Sequence, residues 1–317
     1  MKSLALFLLL LIPAFAADQH YDPSRKSEKV ETRLSSFTYD GREVPLKVYL
    51  PSAKTAPVIL LSHGLGGSRE VGAYLGEHWA ARGYVVVAMQ HPGSDHSVWK
   101  DAPPARRMAA LKAAASAEAF LDRTRDVPAT LDQLALWNEE KKHFLEGRLN
   151  LEKVGIGGHS FGAVTTQAAS GQHFGLAGPK YTDPRIDAAL ALSPSVPRIG
   201  NAKRAFGKVT LPMMLMTGTK DESIIGGGTP ESRRGVYAAL PPGSKYELVL
   251  KDAEHMAFSD ASHQRTRNRN PNHHKAIIAL SSAFWDAYLG GKSEALHWLK
   301  STAPKKLLEP GDLWQKK

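Results

Sequence analysis

The chain has 317 residues, 42% hydrophobic and 23% charged, a balance that excludes collagenous, coiled-coil and disordered classes and leaves enough apolar material for a sizeable core. It contains no cysteine, so disulfides, thiolate metal sites and a cysteine nucleophile are excluded. The formal net charge of +10 is spread along the chain among acids, which argues against nucleic acid as a partner.

Lys2, the apolar run Leu4 to Ile12, and Pro13-Ala14-Phe15-Ala16 read as a secretory signal peptide cut after Ala16. The run is too short to span a bilayer, and no later segment is apolar enough to do so. Export to the periplasm or medium is the expectation. Residues 17–36 read as a polar leader, and 37–292 as one α/β domain.

Phe37 to Leu50 alternates as a hairpin turning at Asp40-Gly41. Val58 to Leu61 is a buried strand, 70–82 a helix, and Tyr84 to Met89 the next strand. The long stretch between Gln90 and Val154 holds an Ala-rich helix, Ala105 to Leu121, and a second, Thr124 to Trp137. It is an elaboration of the sheet edge or part of a lid, an insertion over about 100–150. Strands follow at Val154 to Gly157, Ala188 to Leu192, Met213 to Thr217 and, last, Tyr246 to Leu250. A loop holds Gly226-Gly227-Gly228, a helix runs from His273 to Leu289, and 293–317 reads as a tail. Apolar strands alternating with helices predict a mostly parallel sheet covered on both faces.

Gly158-His159-Ser160-Phe161-Gly162 fits Gly-x-Ser-x-Gly, directly after a strand and before a helical run. In that setting the glycines serve a sharp strand-to-helix turn that presents the serine outward in a strained backbone. The alternative is a tight turn with an incidental serine. A serine hydroxyl needs a base, and the base an orienting acid, in the chain order Ser, Asp or Glu, His. Asp221, just after the Met213 strand, is the predicted acid, with Glu222 in reserve. His255, after the Tyr246 strand, is the predicted base among 13 histidines. Two backbone N–H groups should hold the oxyanion: Phe161, after the nucleophile, and Leu65, in the Gly-rich loop Ser62-His63-Gly64-Leu65-Gly66-Gly67. That loop lacks the spacing of a dinucleotide or P-loop phosphate site.

The remaining histidines, including His63, His91, His96, His159, His263, His273 and His274, read as packing or surface residues. The pairs His91/His96 and His273/His274 have no third metal ligand nearby. Arg265, Arg267, Arg269 and Lys275 form a solvated basic loop or, alternatively, a positive rim for an anionic substrate. Trp99, Phe120 and Trp137 are core, or else the wall of an apolar pocket.

The Ser-His-Gly-Leu-Gly loop, Gly-His-Ser-Phe-Gly elbow, Thr-Gly-Thr-Lys-Asp turn and late Glu-His resemble the dienelactone-hydrolase-like group of α/β-hydrolases. So does Arg125-Asp126 opening a helix with Leu131-Asp132-Gln133-Leu134. The group is similar to platelet-activating-factor acetylhydrolases and, more distantly, to cutinase-like polyesterases. The resemblance covers roughly residues 37–290. It implies a serine carboxylesterase with no cofactor and no metal, acting on a small-molecule or lipid-like ester, with Ser160, Asp221 and His255 as triad and Leu65 and Phe161 as oxyanion donors. True dienelactone hydrolases use a cysteine, so that substrate does not carry over. Rival readings are an acyltransferase or peptidase using the same triad, and a binding protein that has lost catalysis.

Overall fold

The computed structural model describes residues 21–260 and 270–317. The segment read as a signal peptide, His263, Arg265, Arg267 and Arg269 lie outside the described residues. The described residues build a nine-stranded sheet. In chain order its strands are β1 (Val30–Tyr39), β2 (Arg42–Pro51), β3 (Ala56–Ser62), β4 (Val85–Met89), β5 (Leu149–His159), β6 (Ile186–Leu192), β7 (Met213–Lys220), β8 (Lys245–Glu254) and β9 (Leu313–Lys316). Across the sheet the order is β1-β2-β4-β3-β5-β6-β7-β8-β9. The strands from β4 to β8 run parallel, and antiparallel pairs close both edges. This is an α/β-hydrolase fold.

Period-two alternation explains the two cores. Val58, Leu60, Val85 and Val87 point to one face, where they meet Val127, Leu131 and Leu134 of α4 (Ala117–Glu139). Ile59, Leu61, Val86 and Ala88 point to the other. There they meet Leu75 and Trp79 of α1 (Ala73–Ala80) and Ile277, Leu280 and Trp285 of α8 (Pro271–Tyr288). Strands buried on both faces must read as unbroken apolar runs, and β3 and β4 do.

The insertion is organised differently from the sequence expectation. Its helices are α2 (Ser97–Lys100), α3 (Pro104–Ala114) and α4. The break lies at Ala115-Ser116, not between Leu121 and Thr124. The Ser116 side chain accepts the Ala119 N–H and so caps α4. Ser caps outweigh the helix preference of the flanking alanines, and α4 then runs through 121–124 without interruption. Because α4 buries its apolar side in the sheet core, it is a layer of the fold. α3 is exposed; its Leu111 lies beside Gly66, and Trp99 of α2 donates its indole N–H to the Gly66 carbonyl at 2.7 Å.

Both ends are more structured than expected. β1 starts at Val30, inside the presumed leader, and the Tyr21 hydroxyl donates to the buried Asp286 at 2.8 Å. Residues 293–317 are not a loose tail. They form α9 (Ser293–Lys300) and β9, which pairs with β8, so β8 is not the final strand. Trp314 is buried there and stacks on Tyr246. A lysine and a glutamine in so short a strand hid its single inward tryptophan.

Candidate active site

The parallel strands end along one side of the sheet, where the predicted site residues lie just after their strands: Leu65 after β3, Ser160 and Phe161 after β5, Asp221 after β7 and His255 after β8. β5 ends at His159, and α5 (Phe161–Ala169) begins one residue after Ser160. Ser160 has φ 57° and ψ −114°, a backbone state that costs an L-residue about 1–3 kcal/mol. The reversal is tight enough to exclude a side chain at Gly162. A Cβ there would stand 1.9 Å from the Ser62 carbonyl oxygen. Gly162→Ala is therefore expected to cost about 3 kcal/mol or more. A Cβ at Gly64 would meet neighbours only at 3.4 Å, so Gly64→Ala should stay within about 1 kcal/mol. Thermal unfolding of the pair checks this contrast.

Ser160 Oγ lies 2.8 Å from His255 Nε2, and His255 Nδ1 lies 2.7 Å from Asp221 Oδ1. The Asp221 carboxylate can only accept, so Nδ1 carries the proton and Nε2 is free to take one from Ser160. Asp221 is fully buried and also accepts from Thr217 Oγ1 at 2.9 Å. Burial by itself raises its pKa. The His255 hydrogen bond and charge, then Arg233, outweigh that and hold the carboxyl below its ordinary value. Glu222 is exposed.

Gly64, next to Leu65 in the β3 loop, abuts Ser160, and Phe161 opens α5 directly after it. Neither the Leu65 nor the Phe161 N–H has an acceptor among the described residues. The first N–H groups of a helix have no internal partner, so the Phe161 donor follows from its position alone. α5 carries no acid in its first turn, leaving its positive end toward the Ser160 oxygen.

A model of platelet-activating factor acetylhydrolase, isoform II, matches residues 28–104, the span from β1 through α2 that contains the Ser62–Gly67 loop. Platelet-activating factor acetylhydrolase of Cavia porcellus is 26% identical over 158 residues, covering 42% of this chain and 36% of that protein. The match thus spans little more than a third of the relative's own length. The chain is an α/β-hydrolase similar to the platelet-activating-factor acetylhydrolases.

Around Ser160, several residues go beyond those found from sequence. Arg233, on α7 (Pro230–Ala239), is buried. Its Nε lies 2.9 Å from Asp221 Oδ1, and NH1 donates to the Ser193 and Pro194 carbonyls. NH2 comes within 3.2 Å of His255 Nδ1, but a nitrogen that donates to Asp221 cannot also accept. Arg233 thus braces the carboxylate. His159 donates from Nε2 to the His255 carbonyl at 2.9 Å. Burial, then the neighbouring His255, lowers its pKa to about 3, so it stays neutral.

His91 is occupied by Ser62 Oγ at 2.9 Å and Asp126 at 2.7 Å, while His96 is partly exposed. Trp99, Phe120 and Trp137 do not form one wall. Trp137 lies in the core, Phe120 packs on Phe174 and Tyr181, and Trp99 sits on the Ser62–Gly67 loop. None of these partners has a local signature, because each contact joins residues far apart in the sequence.

Proposed function

We propose that this chain is an exported serine hydrolase that cleaves carboxylic esters through Ser160, His255 and Asp221. The observation that carries the reading is the continuous hydrogen-bonded line from Ser160 Oγ through His255 to buried Asp221, at a serine held with φ 57°. His255 Nε2 takes the Ser160 proton as Oγ attacks the ester carbonyl. The carbonyl electrons move onto its oxygen, which the Leu65 and Phe161 N–H groups hold. As the oxyanion collapses, the alkoxide leaves with the proton from His255, and an acyl-serine remains. Water, losing its proton to His255, attacks the acyl-serine. A second collapse releases the acid and returns the proton to Ser160. Asp221 keeps the imidazole in the Nδ1–H tautomer and stabilises its cationic form.

The likeness to an acetylhydrolase supports a short acyl group on a lipid-like ester. The apolar run after Lys2 supports export. Among the described residues no helix is long and apolar enough to cross a membrane.

The test is covalent labelling. A fluorophosphonate probe is expected to add once per chain, on the peptide containing Ser160, and to abolish p-nitrophenyl acetate hydrolysis in proportion to labelling. Folded protein that neither labels nor turns over p-nitrophenyl esters of any acyl length would overturn the reading in favour of a binding protein on this fold.

A further inference from the structure

We propose that His63 is a positioning residue that presets the Gly64–Leu65 peptide so that the Leu65 N–H faces the reacting carbonyl oxygen. The inference rests on the ester-hydrolase reading of the site.

A trans peptide is planar, so its C=O and N–H point in opposite directions. Fixing the Gly64 carbonyl therefore aims the Leu65 N–H. That carbonyl has two partners: His63 Nδ1 at 2.6 Å and the Gly67 N–H at 3.0 Å. On its nucleophile side Gly64 abuts Ser160, whose Cβ would lie 3.4 Å from a Cβ at 64. A loop reading His-Gly-Leu-Gly-Gly has little intrinsic barrier to rotating this peptide. The orientation must come from what holds the carbonyl.

The tautomer of His63 is determined by its contacts. The Gly64 oxygen can only accept, so Nδ1 carries the proton. The His91 backbone N–H donates to Nε2 at 3.1 Å, so Nε2 is the unprotonated nitrogen. Arg123 NH2 also stands 3.4 Å from Nδ1, but two lone-pair-bearing atoms at 2.6 Å would repel, and the shorter contact decides. Burial, and then the Arg123 cation, push the His63 imidazole well below its usual titration range. The ring is 3% exposed and stays neutral.

The scaffold behind this ring is itself held rigid. Arg123 is fully buried, donates through NH1 to the His63 carbonyl at 2.8 Å and through Nε to Ser94 Oγ at 2.8 Å. Its guanidinium lies 4.4 Å from the centre of the Phe161 ring, linking both halves of the oxyanion site. His91 is fixed between Ser62 and Asp126, all three at most 1% exposed. This second Ser-His-Asp line has no access for a substrate. It anchors the backbone that donates to His63.

The experiment compares His63→Ala, His63→Asn and His63→Gln with wild type on p-nitrophenyl butyrate. It also measures inhibition by a trifluoromethyl ketone, which forms a tetrahedral oxyanion. An asparagine amide nitrogen can occupy the place of Nδ1 and donate to the Gly64 carbonyl, whereas glutamine's amide lies one bond farther out. His63→Ala is expected to lose about 100-fold in kcat, the effect of one oxyanion donor, with KM within about threefold. The ketone should weaken by a similar factor. His63→Asn should recover to within about tenfold of wild type, and His63→Gln should not. A His63→Ala protein that melts lower but keeps kcat within threefold would overturn the proposal. If His63→Ala does not fold, equal kcat in the Asn and Gln variants overturns it, and a tenfold advantage for Asn supports it. These outcomes are read against wild-type turnover that labels at Ser160, so failure of the hydrolase reading is seen separately.

Discussion

Ser160→Ala is expected to lower kcat for p-nitrophenyl esters by about 10⁶-fold while leaving the fold intact. The alanine removes the atom that bonds to the acyl group, and no neighbour can replace it. Ser62, in the other Ser-His-Asp line, is 1% exposed and out of reach of a substrate. Some acceleration over water should persist, because the Leu65 and Phe161 donors and His255 remain. The backbone at 160 stays at φ 57° in the variant, so alanine does not relieve the strain. Ser160→Gly does, and it is expected to melt above Ser160→Ala by up to about 1 kcal/mol in stability, since glycine adopts positive φ at little steric cost. The measurements are burst and steady-state kinetics, fluorophosphonate labelling and thermal unfolding on the three proteins. An alanine variant keeping more than about a thousandth of wild-type kcat would place the nucleophile elsewhere.

The sheet was legible because buried parallel strands must be apolar on both faces, and Val-Ile-Leu-Leu and Val-Val-Val-Ala-Met stand out against their loops. The elbow was legible because a strand, a Gly-x-Ser-x-Gly turn and a helix follow one another within a few residues. The end of the β7 strand pointed to Asp221 but did not by itself exclude the adjacent Glu222. Adjacent residues leaving a strand point opposite ways, and only the path after β7 turns Asp221 inward and Glu222 outward. Arg233 was hidden for a related reason. In Pro-Glu-Ser-Arg-Arg-Gly two arginines look like a solvated helix face, yet one of them is buried against the acid. His63 and His91 read as packing residues because histidine carries no local signal for its tautomer. Their role emerges only when the β3 and β4 loops and α4 are brought together. β9 was missed because four residues with one apolar inward side chain carry too short a period to detect.

Asp221→Asn is expected to lower kcat by about 10⁴-fold at neutral pH, the size of the same change in serine proteases, with Glu222→Gln within about twofold of wild type. An asparagine amide can present its NH₂ to His255 Nδ1, which favours the other tautomer and leaves Nε2 protonated and unable to accept from Ser160. The same substitution leaves the buried Arg233 without its carboxylate, and removing one member of a buried pair costs about 3 kcal/mol or more. The pH dependence follows from the direction of the Asp221 shift. Its folded pKa lies below the ordinary value of 3.8, so its contribution to stability is fully present above that value. The contribution is lost as pH falls through the lower folded pKa, where the native carboxylate takes up its proton. The stability gap between wild type and Asp221→Asn should therefore narrow as pH falls below about pH 4, as read by denaturant unfolding at each pH. A gap that went on widening below about pH 4 would contradict a carboxylate held ionised by His255 and Arg233. A crippled Glu222→Gln beside an active Asp221→Asn would move the acid one residue along the chain.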